Sequence, residues 1–391
     1  MKATFIHTAD WQLGKPFAGV EDPLKRSILQ NERMEAIKRI GKIAKENNAN
    51  FVLVAGDLFD SSTATKSTVS AACSAIGSIG IPVYVIPGNH DHGGAGGIWE
   101  QEFYLREQKE LAPNLHILLK AEPLELENVV LFPCPLLRRH ESIDTTAWLR
   151  NFDFEGKSFG DKPLIVLAHG SIQSFGAFSD DEESEGGALN QIDVEQLQMK
   201  PFDYIALGDW HGTKEVGENV WYSGTPELDR FPKGNEHKQG NTLVVSATKG
   251  EKPEVKVVET KNIKWHEFSI NFTDDLGLNY LNDELKDRIG TNANKDLVHL
   301  HLDGSLGLEA YSNLEIILES FKSRLIRLKL DNLTTISPNS QEMESLTQRA
   351  NDPLISRVAT RLIELSDSSD SDEASVARIA LRELYIACNT K

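Results

Sequence analysis

Five polar clusters, each directly following an apolar run, contain the residues of this sequence best suited to hold metal ions. In chain order the segments read HTADWQLG, VLVAGDLFD, VIPGNHD, IVLAHGS and YIALGDWHG. Their candidate ligands are carboxylate, amide and imidazole side chains: Asp10, Gln12, Asp57, Asn89, His169, Asp209 and His211. Two divalent ions held by such groups can activate water and neutralise phosphoryl oxygens. The clusters therefore indicate hydrolysis of a phosphoester.

The third cluster, VIPGNHD, is the most specific of the five. Gly88 permits a tight turn, and Asn89 offers a carbonyl ligand. His90 offers a proton donor, and Asp91 a partner that could orient the imidazole. A polar turn explains a glycine and an asparagine, but rarely Asn-His-Asp in a row.

Each of the other clusters has an ordinary structural explanation when taken alone. Asp10 and Gln12 could lie in a surface loop, and His169 could be a structural histidine. Asp57 and Asp209 could cap a helix or a turn. These explanations do not account for five successive apolar runs that all end in ligand chemistry.

Strands and helices alternate around these clusters. Short runs rich in Val, Ile, Leu or Tyr predict strands at 3–8, 51–55, 83–86, 164–168 and 204–207. Apolar residues at helical spacing predict helices at 31–48 and 66–78. This alternation is typical of a layered α/β domain, in which ligands gather beyond the carboxyl ends of the strands. The later strand-rich segments WYSG, NTLVVSA and EVKVVE suggest the far side of a two-sheet sandwich.

In this order the motifs resemble the calcineurin-like metallophosphoesterase superfamily over residues 1–235. HTADWQLG, VAGDLFD, PGNHD and YIALGDWHG, with VWYSGTPELDRF after them, are most similar to its SbcD-type DNA repair nuclease group. The resemblance implies a four-layer α/β/β/α sandwich with a smaller α/β capping domain and a C-terminal helical pair. The expected domains are a nuclease domain at 1–262, a capping domain at 263–338, and helices of a candidate partner-binding segment at 339–391.

The resemblance also assigns roles within the motifs. It implies that Asp57 bridges two divalent ions and that His90 faces the scissile phosphate, with Asp91 holding its tautomer. The remaining ligands divide between the ions, Asp10, Gln12 and His211 completing one position and Asn89, His169 and Asp209 the other.

Gln12 and Asp209 stand where the family has histidine. Oxygen donors in place of imidazoles shift the expected preference toward Mn²⁺, with Mg²⁺ second, and away from Zn²⁺. Since an amide is a weak neutral ligand, the ion near Gln12 is expected to bind less tightly. The same two departures are compatible with reduced or absent activity.

The leading functional hypothesis is a metal-dependent exonuclease and endonuclease acting on DNA beside an SMC-like, SbcC-type ATPase. Candidate phosphate contacts are Lys15, Arg138, Arg139, Arg230 and Lys233. A second hypothesis keeps the chemistry but takes a nucleotide, cyclic nucleotide or phosphoprotein as substrate. A third is a structural subunit, with weakened or absent catalysis, that recruits a partner. The resemblance is also compatible with a homodimer.

The tail of the chain predicts two amphipathic helices separated by SDSSDSDE. One apolar stripe is formed by Ile355, Val358, Leu362 and Leu365, and the other by Val376, Ile379, Leu384 and Cys388. Such stripes could grip a partner or pack on their own domain, and the sequence leaves both open.

Bulk composition sets limits on these hypotheses. The 391 residues carry a formal net charge of −18, which is unusual for a nucleic-acid binder unless a local basic groove or a partner supplies positive charge. Three widely spaced cysteines favour a reducing compartment, and no apolar run is long enough to span a bilayer, so a cytoplasmic protein without membrane contact is expected. The acidic run DDEESE at 180–185 predicts a mobile surface loop.

Overall fold

The computed structural model describes residues 1–172, 189–231 and 238–389. The acidic run at 180–185 and Lys233 lie outside the described residues. The chain divides into two compact units, Met1–Ile263 and Lys264–Lys391. The further boundary expected between residues 338 and 339 stays a prediction.

The first unit consists of short strands interspersed with helices. Its strands are β1 (Lys2–Thr8), β2 (Phe51–Ala55), β3 (Val83–Ile86), β4 (Leu115–Ile117), β5 (Leu124–Glu125), β6 (Val130–Cys134), β7 (Leu164–His169), β8 (Ser171–Ile172), β9 (Gln191–Ile192), β10 (Tyr204–Gly208), β11 (Lys214–Gly217), β12 (Val220–Tyr222), β13 (Asn241–Thr248) and β14 (Glu254–Glu259). Its helices are α1 (Pro23–Glu46), α2 (Lys66–Gly77), α3 (Glu102–Leu111) and α4 (Val194–Gln198), with 3₁₀ turns at Ile98–Glu100 and Ala147–Asn151.

Most of these strands form two six-stranded sheets. The first has the order β14-β13-β1-β2-β3-β4 and the second β11-β12-β10-β7-β6-β5. Strands β1 to β4 run parallel, as do β6, β7 and β10. The segments NTLVVSA and EVKVVE therefore belong to the same sheet as β1, and their expected place on the far side of the sandwich is wrong.

Alternation of side chains along the strands gives each sheet two apolar faces. Phe5 and Leu53 of the first sheet pack with Ile165 and Tyr204 of the second. The outer face of the first sheet packs against α1 and α2, and that of the second against α4 and the 3₁₀ turn at Ala147–Asn151. The unit is thus the predicted four-layer α/β/β/α sandwich.

Helix α1 begins eight residues before the predicted start. The side chain of Asp22 accepts a hydrogen bond from the amide of Leu24, and Pro23 occupies the first turn, where its missing N–H is not needed. Leu29 is the first buried residue of the helix. A prediction based on apolar spacing therefore omits the first turns, which are exposed.

The second unit contains the parallel strands β15 (Lys264–Phe272), β16 (Asp296–Leu306) and β17 (Arg327–Asn332), with β18 (Thr335–Ile336) pairing to β16. Helices α5 (Gly277–Ile289) and α6 (Leu308–Arg324) cover one face of this sheet through an apolar core. Helices α7 (Ser340–Thr347), α8 (Pro353–Ser366) and α9 (Ser371–Asn389) follow. Among the described helices, none is long and apolar enough to cross a lipid bilayer.

The tail helices pack partly on their own unit. Leu362 and Leu384 contact a small core beside α6, whereas Val358, Val376 and Ile379 are exposed. The two predicted stripes are therefore not single buried faces. This division leaves apolar side chains on the surface of α8 and α9.

Candidate metal centre

The predicted ligands gather at the carboxyl ends of parallel strands from both sheets. Asp10 and Asp57 follow β1 and β2, and Asn89 follows β3. His169 ends β7, and Asp209 follows β10. Side chains at such strand ends project into a common space, where open α/β sheets bind their ligands.

The backbone of these turns is unusual. Asp10, Gln12, Asp57 and Asp209 have φ values of 53°, 40°, 53° and 99°, in the left-handed region that non-glycine residues rarely adopt. Such conformations cost on the order of 1 kcal/mol each and concentrate at functional sites. Gly88 is required for a different reason, since a Cβ there would lie 2.1 Å from Oδ1 of Asp57.

One group of ligands surrounds Nε2 of His169. This atom lies 2.8 Å from Oδ1 of Asn89, 3.6 Å from Oδ2 of Asp57 and 3.7 Å from Oδ1 of Asp209. The other ring nitrogen, Nδ1, donates to the carbonyl of Ala55 at 2.7 Å. Nε2 of the neutral ring is therefore left as the potential ligand atom.

The pKa of His169 reflects the negative charge that surrounds it. Burial lowers the pKa of this imidazole, but the negative charges of Asp57, Asp10 and Asp209 outweigh burial and raise the pKa to about 9. A proton held this firmly marks a place that a metal ion could occupy instead.

The second group of ligands includes Gln12 and His211, whose Nε2 atoms lie 3.5 Å apart. Nδ1 of His211 lies 2.9 Å from Oδ2 of Asp229. Burial favours the protonated form of Asp229, but His211, Arg230 and Lys15 outweigh it and hold the pKa of Asp229 well below its usual range. Asp229 thus remains an anion that fixes the His211 ring.

Asp10 connects the two groups. The amide of Asp209 donates to both carboxylate oxygens of Asp10, at 3.2 and 3.3 Å. Oδ1 of Asp10 also lies 4.0 Å from Nδ1 of His169. Toward the second group, burial lowers the pKa of His211, but the negative charges of Asp229 and Asp10 outweigh burial and raise this pKa. All seven predicted ligands therefore lie in one region, although their binding of ions stays a prediction.

Lys15 lies beside the second group. Its Nζ donates to Oε1 of Gln12 at 2.8 Å, and it lies 3.4 Å from Oδ2 of Asp229 and 3.6 Å from Oδ1 of Asp60. The ammonium therefore engages the carbonyl oxygen through which Gln12 would bind an ion. This contact is a structural reason to expect weaker ion binding there.

His90 faces the site from the Gly88 turn. Its backbone amide donates to Oδ1 of Asp57 at 2.9 Å, and its Nε2 lies 3.9 Å from Oδ2 of Asp57. Its Nδ1 donates to the carbonyl of Asp60 at 2.9 Å. The ring is thus oriented by a main-chain carbonyl.

Asp91 does not make the contact with His90 that the sequence suggests. Its two carboxylate oxygens accept from the amides of Gly88, at 2.8 Å, and Phe59, at 3.0 Å. Burial is the largest influence on this carboxyl and raises its pKa to about 7. Asp91 therefore links the loops that carry the second and third motifs. The main-chain carbonyl of Asp60 orients the His90 ring instead.

Arg33 supports the site and was missed by the sequence analysis. This buried guanidinium on α1 donates to the carbonyls of Trp11, at 2.7 Å, Asp10, at 2.9 Å, and Glu227, at 3.2 Å. It thereby holds the loop that carries Asp10. A charged residue within the apolar stripe of α1 is the signal that could have identified it.

The candidate phosphate contacts differ in position. Lys15 and Arg230 lie at the site, and Nη2 of Arg230 is 3.3 Å from Oδ2 of Asp229. Arg138 and Arg139 are exposed residues of the segment that follows β6. Lys15 and Arg230 are therefore the two candidates that the structure places beside the ligands, where a substrate phosphate would bind.

The donor set fits divalent ions. Asp10 and Asp57 are buried, and buried carboxylates need a compensating positive charge. Burial raises the pKa of Asp10, although His211 and His169 act in the opposite direction. The positive charge of neighbouring side chains therefore does not fully offset the cost of burying this carboxylate. Within the described residues, Asp10, Asp57 and His169 each place a ligand atom within 4.8 Å of the others.

Comparison with known proteins agrees with this chemistry. The sequence pattern of calcineurin-like phosphoesterases matches residues 3–213, more than half of the chain. The chain belongs to the calcineurin-like phosphoesterase family. This family membership implies divalent metal ions as cofactors.

Several relatives within the phosphoesterase family are components of the nuclease SbcCD. The SbcD subunit of that nuclease from Staphylococcus epidermidis is 25% identical over 255 residues, covering 60% of this chain and 63% of that protein. Its Escherichia coli K12 counterpart is 23% identical over 256 residues, covering 56% of this chain and 60% of that protein. The chain thus spans about three fifths of the length of these relatives. An uncharacterized Bacillus subtilis metallophosphoesterase, YhaO, is 33% identical over 128 residues, covering 31% of this chain and 29% of YhaO.

Solved structures give more distant matches. A protein of Thermus thermophilus is 12% identical with a TM-score of 0.38, covering 66% of this chain and 100% of its own. A dimetal phosphatase from Danio rerio is 11% identical with a TM-score of 0.36, covering 65% of this chain and 98% of the phosphatase. Similarity at this level has no bearing on substrate.

Proposed function

We propose that this phosphoesterase is a metal-dependent DNA nuclease that acts in DNA repair or processing beside an SbcC-type, SMC-like ATPase. The main support is the convergence of seven ligand side chains from both sheets, with the imidazole of His90 beside them. The similarity to the SbcD subunits supports DNA as the substrate. A homodimer, which rests on the family resemblance, and a cytoplasmic location, which rests on the three widely spaced cysteines, belong to the same proposal.

In this proposal Asp57 is shared by two ion positions. Asp10, Gln12 and His211 complete one, and Asn89, His169 and Asp209 complete the other. Bound ions supply an activated water and neutralise phosphoryl charge. The predominance of oxygen donors favours Mn²⁺, followed by Mg²⁺.

His90 is the proposed proton donor to the leaving oxygen. Because the N–H of Nδ1 donates a hydrogen bond to the Asp60 carbonyl, the imidazolium form presents its second proton on Nε2, the atom that faces Asp57. The side chain is 17% exposed, so a substrate can reach it. General acid catalysis of this kind contributes roughly 10²- to 10⁴-fold in rate.

Phosphate binding must overcome the acidic charge of the chain. Lys15 and Arg230 place positive charge beside the ligands. Their contribution is local, and long-range attraction of DNA would have to come from the ATPase partner.

A nuclease assay with plasmid DNA, with and without Mn²⁺, tests the catalytic part of the proposal. Asp57→Ala and His90→Ala are expected to lose roughly 100-fold or more in rate. His92→Ala is the matched control, since His92 lies two residues from His90 and its Nδ1 accepts a long 3.4 Å contact from the amide of Gly94. Cleavage that survives both site substitutions would contradict the mechanism.

The same samples tested on a chromogenic phosphodiester separate DNA from smaller substrates. Faster metal-dependent cleavage of the small ester, with intact plasmid, would favour the nucleotide or phosphoprotein hypothesis. Absence of both activities in protein that still binds ions would favour a structural subunit. The contact of Lys15 with Gln12 is the observation that supports this last alternative.

The exposed apolar side chains of α8 and α9 are the proposed contact for the ATPase. Val376 and Ile379 are 66% and 49% exposed, so aspartate at these positions should prevent copurification of the partner without disturbing the core. Val257→Asp is the matched control, because Val257 is 47% exposed in the first unit. Unchanged copurification of the ATPase with Val376→Asp and Ile379→Asp would rule out this surface.

A further inference from the structure

A second cluster of histidines and carboxylates lies on the sheet of the second unit. Glu267 is on β15, His299 and His301 on β16, and Asp331 on β17. The strand register pairs Glu267 with His299 and His301 with Asp331. Because alternate residues of a strand share a face, the four side chains converge on one side of three adjacent strands.

Each carboxylate contacts both imidazoles. Oε1 of Glu267 lies 3.1 Å from Nδ1 of His299 and 3.3 Å from Nε2 of His301. Oδ2 of Asp331 lies 2.8 Å from Nε2 of His299 and 3.0 Å from Nδ1 of His301. All four ring nitrogens therefore face a carboxylate oxygen.

The cluster offers one nitrogen of each ring to an ion. A neutral imidazole carries one N–H, and its other nitrogen presents a lone pair that can bind a metal. When the N–H groups of both rings are directed at Oδ2 of Asp331, the lone pairs of Nδ1 of His299 and Nε2 of His301 lie beside Oε1 of Glu267. An ion placed there would be held by this carboxylate and one nitrogen of each ring, while Asp331 fixes the ring orientation.

The cluster is separate from the apolar core and open to solvent. Val298, Leu300 and Leu302 belong to the core under α5 and α6, so the alternate residues His299 and His301 project from the opposite face. His299 is 6% exposed, whereas Glu267 and Asp331 are exposed. The buried His299 is thus a rigid ligand, and an ion can reach it from solvent past the exposed carboxylates.

We propose that Glu267, His299 and His301 bind one Zn²⁺ ion, with Asp331 orienting the two rings. These three residues each place a ligand atom within 4.8 Å of the others. Two imidazoles and one carboxylate form a three-ligand set that zinc takes at about 2.0–2.2 Å with a water in the fourth position, which corresponds to ligand atoms about 3.4 Å apart in a tetrahedron. Oε1 of Glu267 lies 3.1 Å from Nδ1 of His299 and 3.3 Å from Nε2 of His301, so only a small opening is needed. The ion would tie β15 to β16.

This site differs in ion preference from the centre of the first unit. That centre combines five oxygen-bearing side chains with two imidazoles, which favours Mn²⁺ or Mg²⁺. Two imidazoles with a single carboxylate favour zinc. The chain would then carry a structural ion in one unit and ions for hydrolysis in the other.

Zinc content and thermal stability of the full chain test the proposal. Wild-type protein, His301→Gln and Glu267→Gln are saturated with Zn²⁺, dialysed and analysed for metal. Each variant should retain about one ion fewer than wild type, and zinc should raise its melting temperature less. Because ions bound in the first unit are common to all samples, the difference in zinc content between wild type and a variant reports on the cluster alone.

His266→Gln is the matched control, since His266 lies on β15 and contacts Asp296 instead of the cluster. It should retain zinc as wild type does. Both test positions are partly exposed, and circular dichroism verifies the folding of the variants. Equal zinc content and equal thermal shifts in all four proteins would overturn the proposal and leave the cluster as histidines paired with carboxylates.

Discussion

The ammonium of Lys15 lies 2.8 Å from the side-chain oxygen of Gln12, in the group of ligands where the family has a histidine. A cation placed there competes with a metal ion for the same oxygen and repels it. From the sequence alone, weak ion binding at this position follows from the neutral amide of Gln12. The structure adds a second cause, which can be tested separately.

Lys15→Met should strengthen ion binding near Gln12. Removing the competing charge is expected to tighten the weaker of two Mn²⁺ binding steps about tenfold, as measured by calorimetry. Lys42→Met is the control, since the Lys42 side chain is 77% exposed and pairs with Glu46 on the same helix. Two identical titrations for wild type and Lys15→Met would show that the ammonium does not limit ion binding.

Asp229→Asn should weaken the same ion position. The carboxylate accepts from Nδ1 of His211 at 2.9 Å, and neutralising it removes the charge that fixes the ring. Loss of such a partner typically costs 10- to 100-fold in metal affinity. Mn²⁺ calorimetry measures the effect, and an unchanged affinity in a correctly folded variant would contradict the role given to Asp229.

Asp91→Asn should chiefly reduce stability. One of the two amides that now donate to the carboxylate, from Gly88 or Phe59, would face the asparagine NH₂ group. Leaving a buried donor unsatisfied costs about 1–3 kcal/mol. Denaturant unfolding in the presence of a chelator measures this free energy. Undiminished stability together with a large loss of catalysis would instead support a direct action of Asp91 on His90.

His7 should make the protein sensitive to acid. Burial lowers its pKa to about 3, although the hydrogen bond to the Leu207 carbonyl acts in the opposite direction. Between about pH 6.5 and 3 the unfolded chain binds a proton at this residue that the folded chain does not, so stability falls as pH falls through this window. The contribution is at most about 5 kcal/mol.

His7→Gln should therefore have a shallower decline in stability from pH 6.5 to 4 than wild type. Denaturant midpoints recorded in chelator at several pH values provide the comparison. His140→Gln serves as the control because His140 is exposed. Parallel curves for wild type and His7→Gln would show that His7 has no part in the acid response.

The placement of the ligands followed from short-range features of the sequence. Asp57 and His169 each come at the end of a compact apolar run, and those runs proved to be β2 and β7, which have parallel neighbours in two different sheets. Parallel strands bring their carboxyl ends to one edge of a sheet, so the positions of the runs predict which side chains gather at each edge. The approach of the two edges depends on how the sheets pack, which the runs do not encode.

Features that depend on distant contacts were not predictable in this way. Asp229 lies 18 residues from His211, and Arg33 reaches the Glu227 carbonyl across 194 residues. Neither pair shares a periodic pattern or a motif. The left-handed backbone at Asp10 and Asp57 is equally hidden, because it is imposed by surrounding contacts on residues that do not prefer it.

The pairing of β1 with β13, in which Lys2 lies opposite Thr248, has a consequence for biosynthesis. Strand β1 acquires this partner only after nearly 250 further residues have been made. At about 5–20 residues per second this delay is on the order of tens of seconds. The fifth motif ends at Gly212 and β13 begins at Asn241, so a nascent chain carries all five motifs before its β1 is paired on both sides, and hydrolytic competence should arise only late in translation.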